Sequence, residues 1–129
     1  MTEKTIVIAE KAPKALGPYT VANCFGDFVF CAGQLGLDPA SGELVPGGVE
    51  AETRQSLTNI KNVLEAAGSS LSHVLKTTVF LRDMGDFAKM NAIYAEFFTE
   101  KYPARSTVQV AALPKGGAVE IEAIACRVS

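Results

Sequence analysis

Apolar positions along this chain switch between a two-residue and a three-to-four-residue period. The two-residue period predicts strands at Lys4–Ile8, Tyr19–Cys24 and Phe28–Leu35, the last two joined through Phe25-Gly26-Asp27. A Gly-Asp pair between apolar runs marks a hairpin. From Val49 to Ala67 the period lengthens: Leu57, Ile60, Leu64 and Ala67 recur on one side with Val63 beside them. That predicts an amphipathic helix, with Gly68 placed to end it in a left-handed conformation. Glu50, Glu52, Arg54, Lys61 and Glu65 cover the other faces and are expected in solvent. Val74–Arg82 is rich in β-branched residues and reads as a strand. Asp86 is a candidate N-cap for a second helix over Phe87–Glu100, with Phe87, Met90, Tyr94 and Phe97 as a core stripe. Pro103 marks its exit. The stretch from Pro103 to Ala125 reads as two strands joined by a tight turn at Leu113-Pro114-Lys115-Gly116-Gly117.

The predicted order is three strands, helix, strand, helix and two strands, an α+β chain. Strand–helix–strand units favour right-handed crossovers. Both helices then share one sheet face only if the last strands fold back between earlier ones. The other face is left bare, and its Val, Ile and Ala side chains point to self-association.

Composition narrows this picture. The 129 residues suit a single domain, 1–129, and 48 % hydrophobic with 20 % charged residues suits an ordinary globular protein. A net charge of −2 argues against a nucleic-acid partner. No apolar run approaches the ~18 residues of a membrane span, and the first residues do not form a signal peptide, so a cytoplasmic protein with no membrane partner is expected. Cys24, Cys31 and Cys126 lie in strand-like runs as buried thiols, and one histidine leaves too few ligands for a metal. No cofactor is expected.

Two charges break the apolar alternation of the last strands, Arg105 and Glu120. Arg105, Thr107 and Gln109 share one strand face. For a hairpin centred near Lys115, Arg105 and Glu120 are offset by roughly 16 Å along the sheet. One small substrate cannot touch both within a chain, so their cooperation requires two subunits with the site between them. The plain alternatives are a surface strand residue for Arg105 and, for Glu120, an edge position or a partner for Lys76 or Arg127. Gly33 interrupts the third strand, as a bulge, a close approach of ligand to backbone, or a strand or subunit contact.

Several short segments occur in one order: Gly17-Pro18-Tyr19, Ala32-Gly33-Gln34, Gln55-Ser56-Leu57-Thr58-Asn59-Ile60, Lys76-Thr77-Thr78-Val79-Phe80-Leu81, Met90-Asn91-Ala92-Ile93-Tyr94, Pro103-Ala104-Arg105-Ser106 and Glu120-Ile121-Glu122-Ala123. On these the chain resembles the RidA/YjgF family of enamine/imine deaminases along nearly its whole length. The resemblance implies a chorismate-mutase-like fold: a six-stranded mixed sheet with two helices on one face. It also implies a homotrimer whose bare faces close a central barrel, with sites in the clefts between subunits.

The implied substrates are 2-imino acids such as 2-iminopropionate and 2-iminobutyrate, formed from enamines released by pyridoxal-phosphate-dependent dehydratases. Their hydrolysis gives 2-keto acids and ammonia. By the resemblance, Arg105 binds the substrate carboxylate through two parallel hydrogen bonds. Gly33 offers backbone contact, and Tyr19 orients substrate or moves a proton. Glu120 positions water or moves protons at nitrogen. Asn91 and Thr107 complete the substrate-binding set. Two departures from the family pattern stand out, Ala32 where Ser is frequent and Thr107 where Cys is frequent. Two other readings remain open, a trimer that binds 2-keto acids without turnover and an endoribonuclease or translation inhibitor. The second suits neither the net charge nor the lone His73.

Overall fold

The protein is described by a computed structural model over residues 3–128. Strands β1 (Thr5–Ile6), β2 (Ala22–Phe25), β3 (Phe28–Leu35), β4 (Val74–Leu81), β5 (Ala104–Gln109) and β6 (Val119–Cys126) form one sheet, ordered β1-β2-β3-β6-β4-β5. Helix α1 (Gly48–Ala66) separates β3 from β4, and α2 (Phe87–Phe97) separates β4 from β5. Among the described strands only β4 and β5 run parallel. Both helices lie on one side of the sheet, and the main core fills the space between.

The α1 period translates directly into packing. Leu57, Val63 and Leu64 are fully buried, Ile60 is 1 % exposed, and Gly68 follows in the left-handed region at φ 81°. Each large side chain of that row contributes ~2 kcal/mol through burial, so Leu64→Ala should cost about 2–5 kcal/mol. On α2, Met90 and Tyr94 are buried as expected and Ile93 joins them, while Phe87 and Phe97 pack at the edge.

The 103–125 stretch does not form a hairpin. β5 pairs with the far edge of β4, with Arg105 opposite Thr77, while β6 inserts between β3 and β4 and sets Glu120 against both Leu35 and Phe80. Insertion satisfies the backbone along both edges of β6, where a hairpin with β5 would satisfy one. It also brings Val119, Ile121, Ala123 and Ala125 into the buried core. One of the last two strands therefore folds back between earlier ones and the other forms the sheet edge.

Smaller expectations change too. Strand β1 covers only Thr5–Ile6, and β2 starts at Ala22. Tyr19 consequently sits in a loop, where its N–H donates to the Gly17 C=O at 2.8 Å. Helix α2 stops at Phe97, because Phe98 turns extended and packs its ring 4.7 Å from that of Tyr94. Asp86 makes no side-chain cap, and Asp83 instead accepts from the Gly85 N–H at 2.8 Å. Glu52, expected in solvent, is buried.

The bare sheet face differs from its expected composition. Alternation turns the Val and Ala of β6 toward the helices and leaves Phe28 and Phe30 nearly half exposed, their rings 6.4 Å apart. Phe30, Lys76, Thr78, Glu122 and Ile124 line a shallow depression of about 240 Å³ there.

Candidate active site: two pockets on opposite sheet faces

Thr77 Oγ1 and Tyr94 Oη are 2.7 Å apart, so Thr77 points toward α2. Its lateral neighbour Arg105 points the same way, because paired residues share a face. The Arg105 guanidinium lies 4.7 Å from the Tyr94 ring centroid and 5.5 Å from that of Phe87. Its Nη1 donates to Asn91 Oδ1 at 2.7 Å. Cation–π contact and a fixed hydrogen bond hold the planar group in place. No carboxylate among the described residues pairs with it. The guanidinium opens into a pocket of about 410 Å³ lined by Asn91, Tyr94, Ala95, Phe98, Tyr102 and Pro103. Thr107 is two residues further along the same face, and its buried Oγ1 has no hydrogen-bond partner. A buried hydroxyl without a partner is costly, which marks it as an available donor beside the arginine.

Burial pushes the Tyr94 hydroxyl up, against the lowering effects of the Thr77 hydrogen bond and the Arg105 charge. Tyr94 therefore stays neutral, and its ring serves as a platform. The α2 stripe hid this role, because a tyrosine in an apolar row reads as core. Its one signal was a hydroxyl among apolar positions.

Glu120 turns the other way, since its neighbours Val119 and Ile121 are buried beneath the helices. It lines a pocket of about 270 Å³ with Tyr19, Gly33, Lys14, Leu35, Pro114 and Lys115. A β-bulge lies between Cys31 and Gln34 and presents Gly33 to the carboxylate. A Cβ on Gly33 would sit 2.9 Å from Glu120 Cδ. The missing side chain therefore makes room for Glu120 itself. Burial, and then the charge of Glu122, raise the Glu120 pKa above the ordinary carboxylate value. Tyr19 is exposed, and its hydroxyl accepts from the Leu16 N–H at 3.3 Å.

The predicted residues thus fall into two groups. Arg105, Asn91 and Thr107 lie together on the helix face, and Glu120, Gly33 and Tyr19 on the bare face. Arg105 pairs with position 77 of β4 and Glu120 with position 80, from strands on opposite sides of β4. Three residues along and two strands across put their backbones about 14 Å apart. The separation survives loss of the hairpin, for a different reason.

Cys31 is buried, and desolvation with the Glu122 charge pushes its thiol up to about 12, so it is not an available nucleophile.

The sequence signature of the Endoribonuclease L-PSP family matches residues 9–127. The chain belongs to this family, which is the RidA/YjgF family. A RutC family protein of Pyrococcus horikoshii is 55 % identical over 95 % of this chain and 97 % of its own length. The 2-iminobutanoate/2-iminopropanoate deaminase of Bos taurus is 52 % identical over 95 % of this chain and 89 % of its own. Among solved structures, E. coli TdcF with bound serine superposes with a TM-score of 0.91 at 45 % identity, covering 96 % of this chain and 99 % of that one. The α+β sheet with two helices is thus the architecture of RidA/YjgF relatives.

Proposed function

We propose that this RidA/YjgF chain is a 2-iminobutanoate/2-iminopropanoate deaminase, hydrolysing 2-imino acids to 2-keto acids and ammonia. The observation that carries the reading is a preorganised guanidinium without a carboxylate partner, in a chain that also holds a half-buried carboxylate facing a glycine. Deaminases that are 47–52 % identical over 95 % of this chain support it.

The working site forms between subunits. A 2-imino acid has its imine carbon one bond from its carboxylate, so it cannot bridge two pockets on opposite sheet faces. Arg105 of one subunit and Glu120 of a neighbour meet in a cleft of a homotrimer whose bare faces close into a barrel. The half-exposed Phe28 and Phe30 on that face support association. Arg105 grips the substrate carboxylate with its remaining donors while Asn91 holds the guanidinium, and Thr107 donates beside it. Glu120 takes a proton from water as oxygen bonds to the imine carbon. It returns that proton to nitrogen, then carries the proton of the new hydroxyl to the same nitrogen, and ammonia leaves as the carbonyl forms. A raised carboxylate pKa suits this two-way transfer. Tyr19 and the Gly33 backbone orient the substrate from the same wall as Glu120. Each chain acts as a single domain. Three free cysteines among the described residues suit a reducing, cytoplasmic compartment.

A second reading, ligand binding without turnover, draws on the serine bound in E. coli TdcF. The ribonuclease suggested by the family's name finds less support. His73 lies in a surface 3₁₀ turn with Nδ1 2.7 Å from Ser70 Oγ and lines neither pocket.

The test couples a threonine dehydratase to the protein where spontaneous imine hydrolysis is slow and follows 2-ketobutyrate. Wild type should accelerate release and Arg105→Ala should not. Equal rates with wild type, variant and no protein would reject deaminase activity.

A further inference from the structure

Helix α1 carries a polar stripe on its buried side. Glu52, Ser56 and Asn59 stand at i, i+4 and i+7, which aligns them along one face. They are 7 %, 0 % and 0 % exposed. Polar side chains packed between a helix and a sheet are costly unless each finds a partner. Each does so here, and the partners are main-chain groups in or leading into the walls of the Glu120 pocket.

The Ser56 hydroxyl donates to the Gln34 C=O at 2.6 Å. Asn59 Nδ2 donates to the C=O groups of Leu35 and Leu37 at 3.3 and 3.0 Å, and its Oδ1 accepts from Gln55 Nε2 at 2.9 Å. Glu52 Oε1 accepts from the Ala118 N–H at 2.8 Å, two residues before Glu120. Gln34, Leu35 and Leu37 line one side of the pocket, and Pro114 and Lys115 another. Strand β2 pairs with β3 only up to Cys31, so the edge of β3 beyond it lacks a strand neighbour, and α1 side chains take up its carbonyls.

The turn before β6 needs such support. Lys115 has φ 58°, a left-handed conformation that a non-glycine residue keeps only where its surroundings impose it. Arg82 Nη1 donates to the Gly116 C=O at 2.6 Å and Lys115 Nζ to the Gly42 C=O at 3.0 Å. Glu52 supplies the hold from beneath. It comes close enough because residue 36 is glycine: a Cβ there would lie 2.6 Å from Glu52 Cα.

We propose that Glu52 is a positioning residue for Glu120: by fixing the Ala118 N–H it sets the start of β6 and aims the Glu120 carboxylate into its pocket, while Ser56 and Asn59 fix the facing wall. The inference rests on Glu120 being the reacting carboxylate. Glu52 does not line the pocket and acts only through the backbone.

The experiment measures kcat and KM for imine hydrolysis with Glu52→Gln, Glu52→Leu, Ser56→Ala and Glu120→Gln, well below each variant's Tm. Gln retains an acceptor for Ala118, so Glu52→Gln should keep kcat within about twofold of wild type. Glu52→Leu removes the acceptor, and kcat should fall about 10- to 100-fold, the usual effect of misplacing a reacting group by an ångström or less. KM should change less than about threefold, because Arg105 in the other pocket holds the substrate carboxylate. A folded Glu52→Leu protein with wild-type kcat would overturn the proposal, as would Glu52→Gln losing as much as Glu52→Leu. Should Glu52→Leu fail to fold, Ser56→Ala decides: kcat about threefold lower supports the stripe's role, and unchanged kcat overturns it. If Glu120→Gln keeps full activity, the reading of Glu120 itself fails. If it loses activity while Glu52→Leu does not, only the positioning role fails.

Discussion

The two pockets treat their charges in opposite ways. The Arg105 guanidinium lies over the Phe87 and Tyr94 rings and is hydrogen-bonded to Asn91, so its position is set before any ligand arrives. Glu120 is half buried, faces a bare glycine, and has the charge of Glu122 nearby, so its ionised form is disfavoured. A group that binds a carboxylate works best as a permanent, oriented charge. A group that moves protons works best when its pKa approaches the working pH. Under the proposed function, this contrast suits substrate binding in the first pocket and proton transfer in the second.

The largest expected effects fall on these two residues, with different kinetic signatures. Glu120→Gln should lower kcat about 10²–10⁴-fold with little change in KM. Arg105→Ala should lower kcat/KM about 10²-fold, mainly through KM, and Arg105→Lys should recover only part because it cannot form the two-pronged contact. Steady-state kinetics separate the two patterns, and identical patterns would break the comparison.

Mixing tests whether the pockets meet across subunits. In a trimer built from Arg105→Ala and Glu120→Gln chains, any mixed assembly has one cleft with both native residues. Equal random mixing should then restore roughly a quarter of wild-type activity. Activity no higher than that of the separate variants would place each site within one chain.

Next in size is a pH effect. Glu120 must be ionised to accept a proton, so the acid limb of kcat should lie above the ordinary carboxylate range. Glu122→Gln removes the smaller of the two causes and should move that limb down without abolishing the displacement. A pH–rate profile reads this directly. The sign for stability is opposite to that of a salt-bridged acid. A raised folded-state pKa lets the native protein bind a proton more readily than the unfolded chain, so this group's unfavourable contribution at neutral pH is relieved as pH falls through the raised value.

The smallest effect on activity should come from Tyr94→Phe. The ring platform under Arg105 remains, while the Thr77 hydroxyl loses its buried partner. Stability should fall by about 1–3 kcal/mol in denaturant melts, with KM rising no more than about threefold.

What could be read from the residues alone was periodic or local. The α1 row Leu57-Ile60-Leu64, the Gly26-Asp27 hairpin and the shared face of Arg105 and Thr107 follow from spacing, and the short motifs pointed to RidA/YjgF. Spacing determines which side chains share a face because the helix and strand repeats are properties of the backbone itself. It does not choose a strand's neighbours. β6 could have paired with β5 through a short turn; instead it took the slot between β3 and β4, where both of its edges bond and its apolar face meets the core under the helices. That choice placed Glu120 beside Gly33 and brought the Ala118 N–H within reach of Glu52. A carboxylate on a helix looks solvated in sequence, since nothing local reveals a backbone donor 66 residues away. Local spacing settled the elements and the chemical types, and long-range backbone pairing decided which charges share a pocket and which are buried.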